Sequence, residues 1–296
     1  MADAIATRAA EPRDYLEFVR LFTELGVEDP VPSEERWAST QLPFTRVAEE
    51  GDRVVGYVFS KLLIDACYVF NLVTEPGRRR RGIGHALMQA VRSEAVAADK
   101  TRWDLNVKAD NTAAIALYER LGFVARHATT VLRAPWATLI ARAADEDSFD
   151  PKTIRVELVS LDEAPALERH YDMPSGILTL RATGSLERRP RAESDGLLAR
   201  ARDAATGDVL GIALFAPQFP GVHPLRARSA AVARALLRAL EQHRVPITDP
   251  AKPWRAVEVQ LAVEASPAVA DALVASGAIV VHEILYFTGP LRETNP

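Results

Sequence analysis

The segment that most constrains this chain is a glycine- and arginine-rich turn between a strand-like run and a helix-like run: Val73-Thr74-Glu75-Pro76-Gly77-Arg78-Arg79-Arg80-Arg81-Gly82-Ile83-Gly84-His85-Ala86. A helix start leaves backbone N–H groups without intrahelical acceptors and carries partial positive charge, so such a turn can grip a diphosphate. Glycines at 82 and 84 remove Cβ atoms that would hold phosphates away from those amides, and the arginines add charge. Position excludes two other phosphate loops. A Walker A loop needs Lys then Ser or Thr after its second glycine, where Ile83-Gly84 stands. A dinucleotide fingerprint needs Gly or Ala three residues beyond Gly84, where Leu87 stands. The plain alternative is a solvated basic turn.

Arg79-x-x-Gly82-x-Gly84, preceded by Leu72-Val73-Thr74-Glu75-Pro76 and followed by Ala86-Leu87-Met88, resembles the acyl-CoA pyrophosphate loop of the GNAT superfamily, the large family of CoA-dependent N-acetyltransferases. Downstream, Asn111-Thr112-Ala113-Ala114-Ile115-Ala116-Leu117-Tyr118-Glu119-Arg120-Leu121-Gly122-Phe123 resembles the family's other signature, Asn-x-x-Ala-x-x-x-Tyr-x-x-x-Gly-Phe, at each fixed position. The resemblance covers about residues 4–133. It implies transfer of an acetyl group from acetyl-CoA, as co-substrate and without a metal, to a primary amine by direct attack in a ternary complex.

By that resemblance Leu72, Val73, Thr74, Arg79, Arg80, Arg81, Gly82, Ile83, Gly84, His85, Asn111, Ala114 and Tyr118 would hold the cofactor. The backbone N–H of Val73 would meet the thioester oxygen. Tyr118, a phenol near pKa ~10, would return a proton to a thiolate near ~8.5. The attacking amine must be neutral, and no base is assigned among Glu75, Asp104 and Asp65. Structural readings stand beside these roles. Asn111 suits a helix N-cap, Tyr118 a core aromatic, and Leu121-Gly122-Phe123 a helix end followed by a strand. His85 is either a phosphate contact or a solvated helix-start residue. His127 reads as a surface strand residue and Cys67 as a buried, inert thiol.

Apolar periodicity orders the first half as strand (4–10), helix (12–25), short helix (33–40), two strands around Glu50-Gly51-Asp52, strand (67–74), helix (82–98), strand (103–107), helix (111–121) and strand (123–132). The second half repeats that order: Asp208-Val209-Leu210-Gly211-Ile212-Ala213-Leu214-Phe215 echoes Asp52-Arg53-Val54-Val55-Gly56-Tyr57-Val58-Phe59. The expected architecture is therefore α/β: two GNAT-like domains in tandem, each a central, mostly antiparallel twisted sheet flanked by helices. Residues 1–140 form the catalytic domain, 141–152 a linker and 153–296 a degenerate copy. In that copy Arg226-Ala227-Arg228-Ser229-Ala230-Ala231 replaces the phosphate loop without glycine, after a strand curtailed to 217–225. Leu273 stands in the place of Tyr118, and Ser266 in that of Asn111. Such a copy would wall the substrate cleft or mimic a dimer partner.

A length of 296 residues suits two domains, and a net charge of −4 argues against a nucleic-acid or anionic-membrane partner. Arg78–Arg81 has no second basic cluster with aromatics. Cys67 alone excludes an internal disulfide framework, the first residues lack a signal-peptide pattern, and no apolar run approaches the roughly 18 residues of a membrane helix. The expectation is a cytoplasmic monomer (a pseudo-dimer) or homodimer acting on a small-molecule or peptide amine. The alternative is a non-catalytic acyl-CoA-binding sensor or scaffold.

Overall fold

The computed structural model describes residues 5–26, 30–141, 153–186, 192, 195–217, 221–246 and 253–291. In the first half they form β1 (Ala6–Ala9), α1 (Tyr15–Phe22), α2 (Glu34–Thr40), β2 (Thr45–Glu50), β3 (Arg53–Leu62), β4 (Ala66–Thr74), α3 (Ile83–Ala97), β5 (Arg102–Lys108), α4 (Thr112–Arg120), β6 (Val124–Pro135) and α5 (Trp136–Ile140). There follow β7 (Ile154–Val159), α6 (Ala164–His170), α7 (Ile177–Thr183), β8 (Leu197–Asp203), β9 (Val209–Ala216), β10 (Gly221–Ala227), α8 (Ala230–Glu241), β11 (Glu258–Glu264), α9 (Pro267–Ala275) and β12 (Ile279–Pro290). Local chemistry explains many of the boundaries. Ser33 caps α2, and Asn111 caps α4 by accepting from Ala114 N at 3.2 Å. Gly122, at φ +84°, ends α4 in the left-handed conformation that glycine adopts without strain.

The elements gather into two compact units, and neither is a single stretch of chain. Unit 1 draws on residues 1–107, 111–125 and 287–296, and unit 2 on 108–110 and 126–286. The division expected at 141–152 is therefore not where the units part. From Arg126 onward β6 belongs with the second half, and from Phe287 onward β12 belongs with the first. A strand's partner is chosen by non-local pairing, which a local pattern does not encode. The expected linker, apart from Ala141, lies outside the described residues.

In unit 1 the strand order is β1-β2-β3-β4-β5, followed by the end of β12. Neighbours among β1 to β4 are antiparallel, whereas β4 and β5 are parallel. Phe18, Leu21, Phe22, Trp37 and Tyr57 form a core on one face. On β3, α3 packs tightly at Gly56, where a Cβ would meet Val73 O at 2.8 Å and Ile83 Cγ2 at 2.9 Å. The end of β12 lies against Trp103: a Cβ on Gly289 would stand 2.8 Å from its Nε1. Leu291 N donates to Thr101 O at 3.1 Å, and Arg92 Nε to Leu291 O at 3.0 Å.

In unit 2 the order is β6-β11-β10-β9-β8-β7, with β10 and β11 parallel and the other paired neighbours antiparallel. Its core lies between this sheet and α8, with Trp136, Phe215, Leu236, Leu237 and Leu273 among its members. The repeat survives at atomic detail. A Cβ on Gly211 would meet Arg226 O at 2.7 Å, Val232 Cγ1 at 2.9 Å and Leu236 Cδ1 at 3.1 Å, as one on Gly56 would meet Val73, Ile83 and Leu87. Ala278 N donates to Leu273 O as Phe123 N does to Tyr118 O. Leu273 thus holds the place of Tyr118, as the sequence predicts. Arg226 and Ala227 lie within β10 rather than in a loop, which corrects the expected strand end at 225. Residues 218–220 of that stretch are outside the described ones.

Candidate active site

Unit 1 brings the two motifs together at one end of its sheet. The β4–β5 ladder runs from Ala66↔Arg102 to Val69↔Leu105 and, among the described residues, ends there. β4 continues to Thr74 and β5 to Lys108. Phe70 has no partner in the β3 register, which passes from Phe59↔Asn71 to Ser60↔Val69. This bulge sits where the strands part, as bulges commonly do at sites that must turn a strand. The parted edges leave main-chain groups for a ligand to pair with.

Which groups these are follows from the register. Glu75 N donates to Val55 O at 2.9 Å, so that pair is hydrogen-bonded; alternation makes Tyr57↔Val73 hydrogen-bonded and leaves Gly56↔Thr74 and Val58↔Leu72 as the open pairs. The N–H of Val73 is therefore spent on β3. The expected oxyanion amide at Val73 is corrected: Leu72 and Thr74 are the residues that turn their amides toward β5.

Beyond Thr74 the chain turns through Pro76–Arg78 and enters α3 at Gly82, whose φ of +86° is left-handed. Ala86 is the first α3 residue bonded back, to Gly82 O at 2.9 Å. Among the described residues the six amides from Arg80 to His85 have no acceptor within the chain. Residues 79–82 and His85 are exposed, whereas Ile83 is buried and Gly84 half-buried. Gly84 has a different role from Gly82: a Cβ there would come within 3.2 Å of Leu117 Cδ2 and 3.7 Å of Leu72 Cδ2, so it sets how closely α3, α4 and β4 approach.

The arginines are not equivalent. Arg78 and Arg81 pair with Glu50, and Arg79 with Glu24 at 3.4 Å while donating to Thr74 O at 3.3 Å. Arg80, with a left-handed φ of +64°, makes no ion pair among the described residues. His85 is exposed, with Gln89 Nε2 at 3.4 Å from its Nε2. Glu75 is bound by Arg20 at 2.9 Å and by Arg53, so it anchors the loop. Arg20 also donates to Val54 O at 2.8 Å; nothing in its sequence surroundings marked it. Asp104 is fully buried with Arg102 Nε at 3.3 Å, and Asp65 accepts from Thr101 through its main-chain oxygen.

Tyr118 is buried, its ring edge-on to Phe123 at 5.7 Å and 6.5 Å from the ring of Phe287. Its hydroxyl bonds to no group among the described residues, and burial raises its pKa above the ordinary phenol value. Asn111 caps α4, so the structural reading of that residue holds. Burial pushes the Cys67 thiol up to about 12, which suits an inert side chain. Among the described residues no group of three or more His, Cys, Asp or Glu could hold a metal ion, and no helix is long and apolar enough to cross a membrane.

The matching end of unit 2 is closed. Its β10–β11 ladder continues to Leu225↔Val263. Arg226 Nε then donates to Glu264 Oε2 at 3.0 Å, and the Arg226 Nη1 to Tyr171 O at 2.8 Å. Glu264 Oε1 also lies 3.1 Å from Arg181 Nη1 and 3.0 Å from His223 Nε2. His127, expected at the surface, is half-buried: it stacks on Tyr286 at 4.8 Å and faces Arg226 Nη2 at 3.4 Å.

A strand, a glycine turn that begins a helix and a second capped helix carrying a tyrosine define a tandem protein with the fold of the CoA-dependent N-acetyltransferases. A GCN5-related N-acetyltransferase from Sphaerobacter thermophilus shares it over 99% of this chain and 97% of its own, at TM-score 0.58 and 19% identity. A tandem GNAT protein from the clavulanic acid biosynthesis pathway does so over 99% of both chains, at TM-score 0.54 and 19% identity.

Residues 14–123 match the Acetyltransferase (GNAT) family. The [ribosomal protein bS18]-alanine N-acetyltransferase of Salmonella typhimurium is 36% identical over 72 residues, which are 24% of this chain and 49% of that protein. The chain spans about half the length of the curated relatives it matches.

Proposed function

We propose that unit 1 transfers an acetyl group from acetyl-CoA to an amine. One observation carries this reading: six amides without acceptors among the described residues, Arg80 to His85, at the start of α3 beside the place where β4 and β5 part. Those amides and Arg80 fit a diphosphate. Leu72 and Thr74 offer the open edge of β4 to an extended amide-bearing arm and orient the thioester oxygen.

Tyr118 gives its proton to the departing sulfur. Burial makes this phenol a weaker acid, but the same dry site makes a thiolate a stronger base, so the transfer stays matched. Glu75, bound to two arginines, holds the loop rather than accepting the amine's proton. Unit 2, with its strands closed and Leu273 in place of the phenol, is non-catalytic.

The relatives named for an alanine of ribosomal protein bS18 make peptide amino termini the first acceptors to assay, followed by small amines. The test is calorimetry with acetyl-CoA, then release of CoA thiol over that panel. No affinity for any CoA thioester overturns the reading; binding without release would favour an acyl-CoA-binding scaffold.

A further inference from the structure

We propose that Arg20 is a positioning residue for acetyl-CoA: acting through Glu75, it sets the diphosphate loop and couples α1 to the occupancy of that loop. The inference rests on the reading of unit 1 as an acetyl-CoA site. Gly56 faces α3, and its neighbour Tyr57 packs on Phe18 of α1 at 5.2 Å. Successive residues of a strand point to opposite faces, so α1 lies across the sheet from α3. Arg20 thus reaches the turn from the face opposite the helix that the turn enters.

Its guanidinium is held from three sides. Nε and Nη2 donate to Glu17 Oε2 at 2.9 and 2.6 Å, Nη2 also to Val54 O at 2.8 Å, and Nη1 to Glu75 Oε1 at 2.9 Å. The helix that carries it is anchored by the buried Phe18, Leu21 and Phe22. Glu75 is tied through its main chain as well. Its N–H bonds to Val55 O, next to the Val54 O that Arg20 holds, and its own O accepts from Arg78 N at 2.9 Å. The residue that Arg20 grips therefore shapes the turn leading to the bare amides. Arg53, the other partner of Glu75, has a side chain 56% exposed against 34% for Arg20. A second contact joins the same two segments with the charges crossed. Glu24, four residues beyond Arg20 in the turn Thr23–Leu25 that continues α1, pairs with Arg79, four residues beyond Glu75. That pair is long and exposed and adds little, which leaves Arg20–Glu75 as the firm tie.

The full chain is titrated with acetyl-CoA by calorimetry, and amide exchange of residues 15–25 is followed with and without it. Arg20→Met should weaken binding about ten-fold or more, the low end for a hydrogen bond to a charged group. Glu75→Met cuts the same tie from the loop side without altering α1. It should cost as much, and adding Arg20→Met to it should cost nothing further. Arg53→Met and Glu24→Gln, which remove exposed partners, should stay within about three-fold. Coupling is reciprocal, so acetyl-CoA should slow exchange in residues 15–25 of the unaltered chain and not in Arg20→Met. Affinity unchanged in Arg20→Met, an equal loss in Arg53→Met, or α1 exchange indifferent to acetyl-CoA overturns the proposal while the acetyl-CoA site stands. No binding by the unaltered chain overturns that site and the proposal with it.

Discussion

The end of β12 belongs to the unit that carries the candidate site, and Phe287→Ala tests that assignment. Phe287 is 2% exposed, and its ring packs 6.5 Å from that of Tyr118, in a cluster with Trp103 and Phe123. Emptying a buried phenylalanine site costs about 3–5 kcal/mol, transfer and cavity together. A domain has about 5–15 kcal/mol in all. At a urea slope of about 2 kcal/mol/M, the midpoint of unit 1 should fall by roughly 1.5–2.5 M. Hydrogen exchange read peptide by peptide assigns the loss, since each unit opens with its own protection. Protection should drop in β4, β5 and α4, and acetyl-CoA affinity should drop with it. Unchanged protection there, or a loss confined to β8, β9 and β10, would refute the placement of the chain end in unit 1.

Tyr118→Phe should lower turnover by about 10²-fold or more while leaving acetyl-CoA affinity nearly unchanged; equal loss of both in steady-state kinetics and calorimetry makes Tyr118 structural. Gly82→Ala forces an L-residue to φ +86°, at about 1–2 kcal/mol, and should weaken acetyl-CoA binding roughly 5- to 30-fold by calorimetry; undiminished affinity would show that the left-handed turn is dispensable. Unit 2 should lose stability on acidification. Burial, then Arg226, lower the pKa of His127 below 6.5, with Arg181 and Arg126 adding to this and Glu264 opposing, so its contribution is complete above pH 6.5 and declines below it. Burial alone would raise Glu264, but Arg181, His223 and Arg226 hold it well below 4.5, so its contribution is lost as pH falls further. Thermal unfolding from pH 8 down to about pH 2 checks both, and a unit 2 transition indifferent to pH would contradict them. Glu264→Gln, which leaves two guanidiniums without the charge between them, should cost about 3–5 kcal/mol in the same assay.

What the sequence reveals divides by the range of the interaction involved. The Gly82 turn, the Asn111 cap and the end of α4 at Gly122 are local, and each carries its own residue signature. The tandem repeat is legible because Gly56 and Gly211 recur in matching strand patterns. The direction of an amide is not local: Val73 and Leu72 look interchangeable until the bond from Glu75 to Val55 sets the register. The exchange of β6 and β12 between units is hidden for the same reason. Each strand pattern is plain, while its partner lies far along the chain. The Glu264 cluster draws on α7, β6, β10 and β11, and no spacing in one segment announces it.

The closed end of unit 2 leads to a stoichiometry. Glu75 N bonds to Val55 O, and Arg228 N to Leu210 O, so these positions correspond; Ile83 and Val232 correspond through Gly56 and Gly211. Between them the first copy has residues 76–82 and the second only 229–231, so the second lacks the length to form the turn. Ser229 Oγ accepts from Val232 N at 3.3 Å, occupying an amide that a phosphate would need. Leu225, the counterpart of Leu72, is already paired with Val263, so the open strand edge is filled as well. Opening this end for a ligand would mean separating Arg226 from Glu264, and breaking a buried pair costs about 3–5 kcal/mol, roughly 10²- to 10⁴-fold in affinity. Calorimetric titration with acetyl-CoA should therefore saturate at one molecule per chain. A second site of comparable affinity would show that the parted strands and bare amides of unit 1 are not what binding requires.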